Sequence, residues 1–255
     1  MTVGVIVAMN VELHHSRDLF ENGAICDERG STTQEFFLAS GLALCLSGIG
    51  KVNAASAAAT LLGEYQVDAL ISIGVSGSLV GGFNVGDLVL VSAALEHDLD
   101  LRPIIEKPGV VIGQSTPFYR AHPDITNTLK NIAEPLLEPW SRKVYERFGV
   151  KASLQNGIVA TGDTLISSSQ QKHAITSEFP LVQLVDMETA AIAKVAENRR
   201  VPWGALRVVS DSADSKDVAR DVFDFCAWEG SKLIALTIAQ LIEAKLERDE
   251  ESDSV

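Results

Sequence analysis

The chain has 255 residues, 46% hydrophobic and 22% charged, which is enough apolar material for a substantial core. Its formal net charge of −13 argues against a nucleic-acid backbone as partner, because that surface selects Lys and Arg. Cys26, Cys45 and Cys226 form no CxxC pair and fit a reducing cytoplasm, and the scattered histidines have no metal-ligand spacing, so neither metal nor cofactor is expected.

Residues 3–8, VGVIVA, read as a buried first strand, too short for a membrane span and without a basic leader, so a soluble protein that is not secreted is expected. ALCLSGIG at 43–50 and ALISIGVSG at 69–77 repeat an apolar strand that ends in glycine, with little polar alternation, as in strands covered on both faces. Between them KVNAASAAATLLGEY has the size of a crossover helix, which makes a βαβ unit. GIGKVNAA, from Gly48, lacks the third glycine of a dinucleotide fingerprint, since Asn53 stands there. It is either a tight turn or a turn whose backbone N–H groups meet an anion or polar ligand.

DLVLVSAALE at 87–96 adds a strand, and the proline- and glycine-rich stretch 103–123 reads as an irregular surface excursion. In ITNTLKNIAEPLLEPWSRKVYERFG the helical periodicity meets Pro135 and Pro139, which predicts a broken or early-ending helix. QNGIVATGDTLIS at 155–167 is a strand running into a glycine turn, LVQLVD at 181–186 a strand leading into the helix ETAAIAKVAENRR, and ALRVVSD the last strand. A closing helix is expected from about Phe223 to Leu246. No linker appears, so residues 1–247 are expected to form a single domain, followed by an acidic tail at 248–255 that frays in solvent.

The candidate polar groups fall at strand ends. GVSGSL, at 74–79, sets Ser76 and Gly77 after a buried strand, where open α/β sheets bind ligands. Glu12 follows the first strand at the same edge and Asp211 ends the last one. LVDMETAAIAKVA holds Glu188, and Arg207 lies in the last strand. Read alone, Asp186 and Glu188 serve equally well to start a helix, and SDSAD could be an Asx turn. Acids at the margin of apolar runs are costly unless paired or used.

In order, VGVIVAMNVEL, SGIGKVNAA, the glycine-serine turn, VGDLVLVSAALEHDLD, TGDTLI, VDMETAAIA and RVVSDSAD resemble the purine nucleoside phosphorylase and uridine phosphorylase superfamily. Within it they are most similar to 5′-methylthioadenosine/S-adenosylhomocysteine nucleosidases. The resemblance runs from residue 1 to about 245, least well over 103–150. It implies a three-layer α/β/α sandwich around a mixed, partly barrel-like sheet, and hydrolysis of the N-glycosidic bond of an adenine nucleoside without cofactor. It further implies that Glu12 activates water, Glu188 grips the ribose hydroxyls with Met187 under the sugar, Asp211 protonates purine N7, and Arg207 lies near the water. The backbone of Leu165 and Ile166 meets the base and Phe223 flanks the nucleoside, while Ala8, Ser76, Gly77 and Ser210 complete the binding set. The segment HDLDLRPI implies a homodimer in which Leu101 and Ile104 reach the neighbour's site, with Arg102 unexpected there.

Breaking a C–N glycosidic bond asks for opposed protonation states, Asp211 protonated near neutral pH and Glu12 ionised. Where the family's hydrolases read GSAGGL, this chain reads GVSGSL, so Val75 stands in the place of a serine and Ser76 one step later. A phosphorylase is the enzymatic alternative and needs a cationic pocket, for which the glycine turn offers only Lys51. Futalosine or another purine nucleoside is a second alternative substrate, and a non-catalytic nucleoside-binding protein an alternative of another class.

Overall fold

The computed structural model describes residues 2–20, 34–39, 41–215 and 217–253, so Cys26 lies outside the described residues. In chain order the elements begin with β1 (Val3–Val7), α1 (Asn10–Leu13), a 3-10 turn (Arg17–Phe20), β2 (Glu35–Ala39), β3 (Leu42–Leu46), α2 (Lys51–Gly63), β4 (Ala69–Ser78) and β5 (Leu88–Glu96). They continue with β6 (Tyr119–Arg120), α3 (Pro123–Phe148), β7 (Leu154–Thr161), α4 (Ser169–Glu178), β8 (Leu184–Asp186), α5 (Thr189–Arg199) and β9 (Trp203–Asp211). The last are α6 (Val218–Phe225), a π-helical turn (Cys226–Gly230) and α7 (Ser231–Asp253).

The strands β1, β3, β4 and β9 are apolar almost throughout because both of their faces are covered. Alternate residues separate cleanly. Val5, Leu44, Ile71, Ile73, Leu206 and Val208 face the side on which α3 and α7 pack through Leu129, Ile132, Ile234 and Ile238. Ile6, Cys45, Leu70, Ala205 and Val209 face α2 and α5, whose Ala57, Ala58, Ala190 and Ala193 allow close approach. Burying each large aliphatic side chain contributes about 1.5–3 kcal/mol, so these two faces hold the three layers together.

The sheet is mixed and partly closed. β4 pairs with β1 through its first half and with β8 at Gly77 and Ser78, while its other edge carries β9. β9 also pairs with β5, β5 with β7, and β7 with β8, so β4, β8, β7, β5 and β9 form a ring. β1, β3 and β2 extend the sheet beyond it. This is the α/β/α architecture with a barrel-like sheet that the sequence implies.

Three local expectations change. α3 runs unbroken through Pro135 and Pro139, contrary to the predicted break. Asn131, Pro135 and Pro139 lie on the exposed face, so the carbonyls that lose their donors remain hydrated, while Leu129, Ala133, Trp140 and Val144 pack without interruption. Trp140 Nε1 further anchors the helix by donating to the Gly86 carbonyl at 2.7 Å, and Gly86, at φ +93°, has no room for a Cβ against Val144. The closing helix starts earlier, at Val218, and its helical backbone runs without a break through a π-helical turn at 226–230 to Asp253 in the acidic end. α4 and β2 were not anticipated, their short segments carrying little periodicity.

Candidate active site

A cleft of about 340 Å³ opens at the ends of β1, β4, β8 and β9, a size suited to a small organic ligand. Its walls are mostly apolar, with four carboxylates, Glu12, Asp186, Glu188 and Asp211, set into them. All four are buried, at 2%, 7%, 7% and 5% exposure.

Glu12 sits in the single turn of α1, which follows β1 directly. Its Oε1 accepts from the Val75 N–H at 2.8 Å and its Oε2 from the Met9 N–H at 2.9 Å. Val75 lies at the cleft end of β4, so one strand's backbone fixes an acid delivered by another. Burial pushes the Glu12 carboxyl above the usual carboxylate range, against the pull of those amides and of Arg207. Gly74 permits this arrangement: a Cβ there would come within 2.5 Å of Arg207 Nη1 and 2.6 Å of Glu12 Oε1.

Glu188 occupies the residue before α5 but makes no cap hydrogen bond to that helix. Its Oε1 instead accepts from the Gly50 N–H at 3.0 Å, in the glycine turn before α2. Burial and the neighbouring Asp186 carboxylate push its pKa up to about 7, with Arg207 and the Gly50 amide opposing. Helix initiation falls to Asp186, which accepts from the Thr189 N–H at 3.3 Å.

Asp211 ends β9 after a bulge. Ser76 pairs with Val209 and Gly77 with Asp211, so Ser210 is the extra residue and the strand turns its end into the cleft. Oδ2 of Asp211 accepts from the Ser210 hydroxyl and Oδ1 from the Ala213 N–H, both at 2.7 Å. Burial raises its pKa, against the pull of those two donors. A carboxyl whose pKa is raised keeps its proton to higher pH than an exposed one, which suits it to give that proton to a ligand.

Arg207 lies beneath the cleft and does not line it. Its Nη2 pairs with Asp186 Oδ2 at 2.8 Å and donates to Ser72 Oγ at 2.8 Å and Thr189 Oγ1 at 2.6 Å. Ser72, Gly74 and Arg207 share the α5 face of the sheet, which leaves Nη1 directed at the Gly74–Glu12 edge.

Of the other predicted contacts, Ala8, Ser76 and Gly77 line the cleft from β1 and β4, Met187 and Ser210 from beside Glu188 and Asp211, and Leu165 and Ile166 from the far wall. Phe223, at 53% exposure, stands on α6 at the mouth. The Ser76 hydroxyl is buried and has no hydrogen-bond partner among the described residues. Leu101 and Ile104 do not line this chain's cleft, and Ile104 is exposed. The Arg102 side chain pairs with Asp100 at 2.5 Å and Glu178 at 3.6 Å on the surface of its own chain.

Sequence reasoning missed the Val75 and Gly50 amides, the Asp186–Arg207 pair, and Val218 and Val222 of α6 in the cleft wall. Two signals were present: Ser72 and Arg207, each a polar residue inside an apolar strand, and an apolar stripe at 218, 222 and 225. Backbone donors leave no mark in a sequence.

The chain resembles known proteins over nearly its whole length. The sequence profile of the phosphorylase superfamily matches residues 2–243. The chain is 31% identical over 244 residues to a 5′-methylthioadenosine/S-adenosylhomocysteine nucleosidase of Bacillus cytotoxicus, covering 94% of this chain and 100% of that one. The crystal structure of the 5′-methylthioadenosine/S-adenosylhomocysteine nucleosidase from Neisseria meningitidis in complex with methylthio-immucillin-A superposes with a TM-score of 0.78 at 30% identity, covering 93% and 98% of the two chains. A futalosine hydrolase mutant of Helicobacter pylori shares the fold, with a TM-score of 0.81 at 22% identity over 96% and 99%. The chain belongs to the phosphorylase superfamily.

Proposed function

We infer that this superfamily member is an N-glycosyl hydrolase acting on 5′-methylthioadenosine or S-adenosylhomocysteine, releasing adenine and the 5′-substituted ribose. The observation that carries the reading is the cleft itself: three buried carboxylates at raised pKa in apolar walls, with no Lys or Arg among its described lining residues. In the proposed reaction Asp211 gives its proton to purine N7 as the C1′–N9 bond breaks, and the electron pair leaves with the base. Positive charge then builds on the ribose. Glu188 accepts hydrogen bonds from the 2′ and 3′ hydroxyls above Met187. Glu12 takes a proton from the water that attacks C1′, and Arg207 Nη1 holds the edge beside it. The backbone of Leu165 and Ile166 meets the base, as the resemblance implies, and Ser76, Gly77, Ala8 and Ser210 frame the nucleoside. Met9, Ile49, Val218, Val222 and Phe223 offer an apolar lodging that suits a thioether.

Phosphorolysis is disfavoured by what occupies the glycine turn. The Gly50 and Lys51 amides donate to Glu188 and Asp163, and Lys51 Nζ is paired with Glu96 at 3.0 Å and Asp98 at 2.6 Å. The chain's own carboxylates already fill the donors that an incoming phosphate would need. Two copies of this domain, residues 1–247, would pair in the cytoplasm as a homodimer, with Leu101 and exposed Ile104 of each reaching the other's cleft.

The test is adenine release from 5′-methylthioadenosine with and without phosphate, beside S-adenosylhomocysteine and a 6-oxo nucleoside. Equal rates in both buffers are expected. Strict dependence on phosphate would sink the hydrolytic reading, and preference for the 6-oxo nucleoside would move the substrate to the futalosine class.

A further inference from the structure

The turn that holds Glu188 and the segment forming the far wall of the cleft are joined outside it. The Lys51 N–H donates to Asp163 Oδ1 at 2.8 Å, the Asp163 N–H to Asp98 Oδ2 at 2.9 Å, and Lys51 Nζ to Asp98 Oδ1 at 2.6 Å. These three bonds close a ring between the start of α2, the end of β5 and the loop after β7. Lys51 Nζ also donates to Glu96 Oε2 at 3.0 Å. The ring's members do not line the cleft, but nearby residues of the same segments do: Ile49 on one side, and Thr164 and Leu165 in the far wall, while the Gly50 N–H donates to Glu188.

We propose that Lys51, Asp98 and Asp163 are positioning residues that hold the two walls of the cleft in register, Lys51 for the Glu188 side and Asp98 for the Thr164–Leu165 side. The glycine turn needs such support. Gly48 and Gly50, at φ +84° and +99°, occupy a region open to glycine but costly to order. A hydrogen bond from Gly50 orients Glu188 only if that turn is fixed from elsewhere. The side chains of Lys51 and Glu96 are 18% exposed and that of Asp98 28%, so the charge-assisted bonds are partly sheltered from water and outweigh ordinary surface pairs. Burial draws the Lys51 ammonium down, but the Asp98 and Glu96 bonds outweigh it and raise its pKa, so the ring stays ionic near neutrality.

This assignment rests on the reading that Glu188 grips the ribose. It is tested with Lys51→Met, Lys51→Arg and Asp98→Ala in two measurements: KM and kcat for 5′-methylthioadenosine, and inhibition by adenine, which has no ribose. Lys51→Met is expected to raise KM about tenfold with kcat and adenine inhibition nearly unchanged, and Lys51→Arg to restore most of the loss. Asp98→Ala, which leaves the Asp163 N–H without its acceptor, is expected to weaken adenine as well. An unchanged KM in Lys51→Met, or a loss of adenine affinity that keeps step with KM, overturns the proposal. If Lys51→Met does not fold, Lys51→Gln carries the same comparison. Glu188→Gln with unaltered KM would remove the ribose reading instead, and the effect of Asp98→Ala on adenine would still judge the ring.

Discussion

Asp186, in the cleft wall, and Arg207, beneath it, are joined by an ion pair of 2.8 Å, with side chains only 1% and 3% exposed. The guanidinium is shared with Ser72 and Thr189, and Asp186 also accepts from Thr161 Oγ1 at 2.5 Å. Two buried charges that satisfy each other and their neighbours fix one arrangement, and here that arrangement aims Arg207 Nη1 toward Glu12.

Removing one partner strands the other charge. Arg207→Met should destabilise the protein by about 3–5 kcal/mol, and adding Asp186→Asn should recover part of the loss. Denaturant unfolding of both single variants and the double variant measures the coupling, and simple additivity would mean the pair is not coupled.

Asp186→Asn should also separate charge from capping. Asn can still accept from the Thr189 amide, so α5 should form, while Glu188 loses a neighbouring negative charge. The Glu188 pKa then falls, and the acidic limb of the kcat/KM profile should move to lower pH. A limb that stays in place would show that the Asp186 charge does not set the Glu188 titration.

Glu12→Gln keeps an acceptor for Val75 or Met9 but no basic oxygen. Turnover should fall by about 10²- to 10⁴-fold while nucleoside binding survives, read by single-turnover kinetics and equilibrium binding. Unchanged turnover would exclude Glu12 as the base.

For Asp211, the Ser210 hydroxyl stabilises the ionised form, since it donates to Oδ2. Ser210→Ala should therefore raise the Asp211 pKa and carry the basic limb of the kcat profile to higher pH. Asp211→Asn should abolish that limb together with most of the rate. A downward shift in Ser210→Ala would contradict the proposed proton donor.

Stability should carry the signature of Glu188. A carboxyl at about 7 in the fold and near 4.5 when unfolded binds more protons in the native state between those values. Its contribution is therefore complete below about pH 4.5 and is lost as pH rises through 7, by no more than about 3 kcal/mol. Glu188→Gln should flatten this part of the stability curve, and an unaltered slope would assign it to another group.

Patterning alone located β1, β3, β4, β5, β7, β8 and β9 along the chain, because strands covered on both faces must be apolar at nearly every position and end where polar residues begin. It also placed Glu12, Glu188 and Asp211 at strand ends, and the ordered motifs pointed to the superfamily. What it could not supply were relations across the chain. The break expected at Pro135 and Pro139 depended on which face of α3 those residues occupy, and that is set by packing on the sheet. Whether Glu188 caps a helix or turns to Gly50 depended on where the glycine turn lies, 138 residues away in sequence. Asp186 does start α5, as its place before the helix suggests, but its pairing with Arg207 appears only where β8 meets β9's arginine in the fold. Hydrophobic period is a local property and survives in a linear string. The partner of a buried charge, the backbone amide that orients an acid and the resulting pKa arise only when distant segments meet, and these were decided by the tertiary structure.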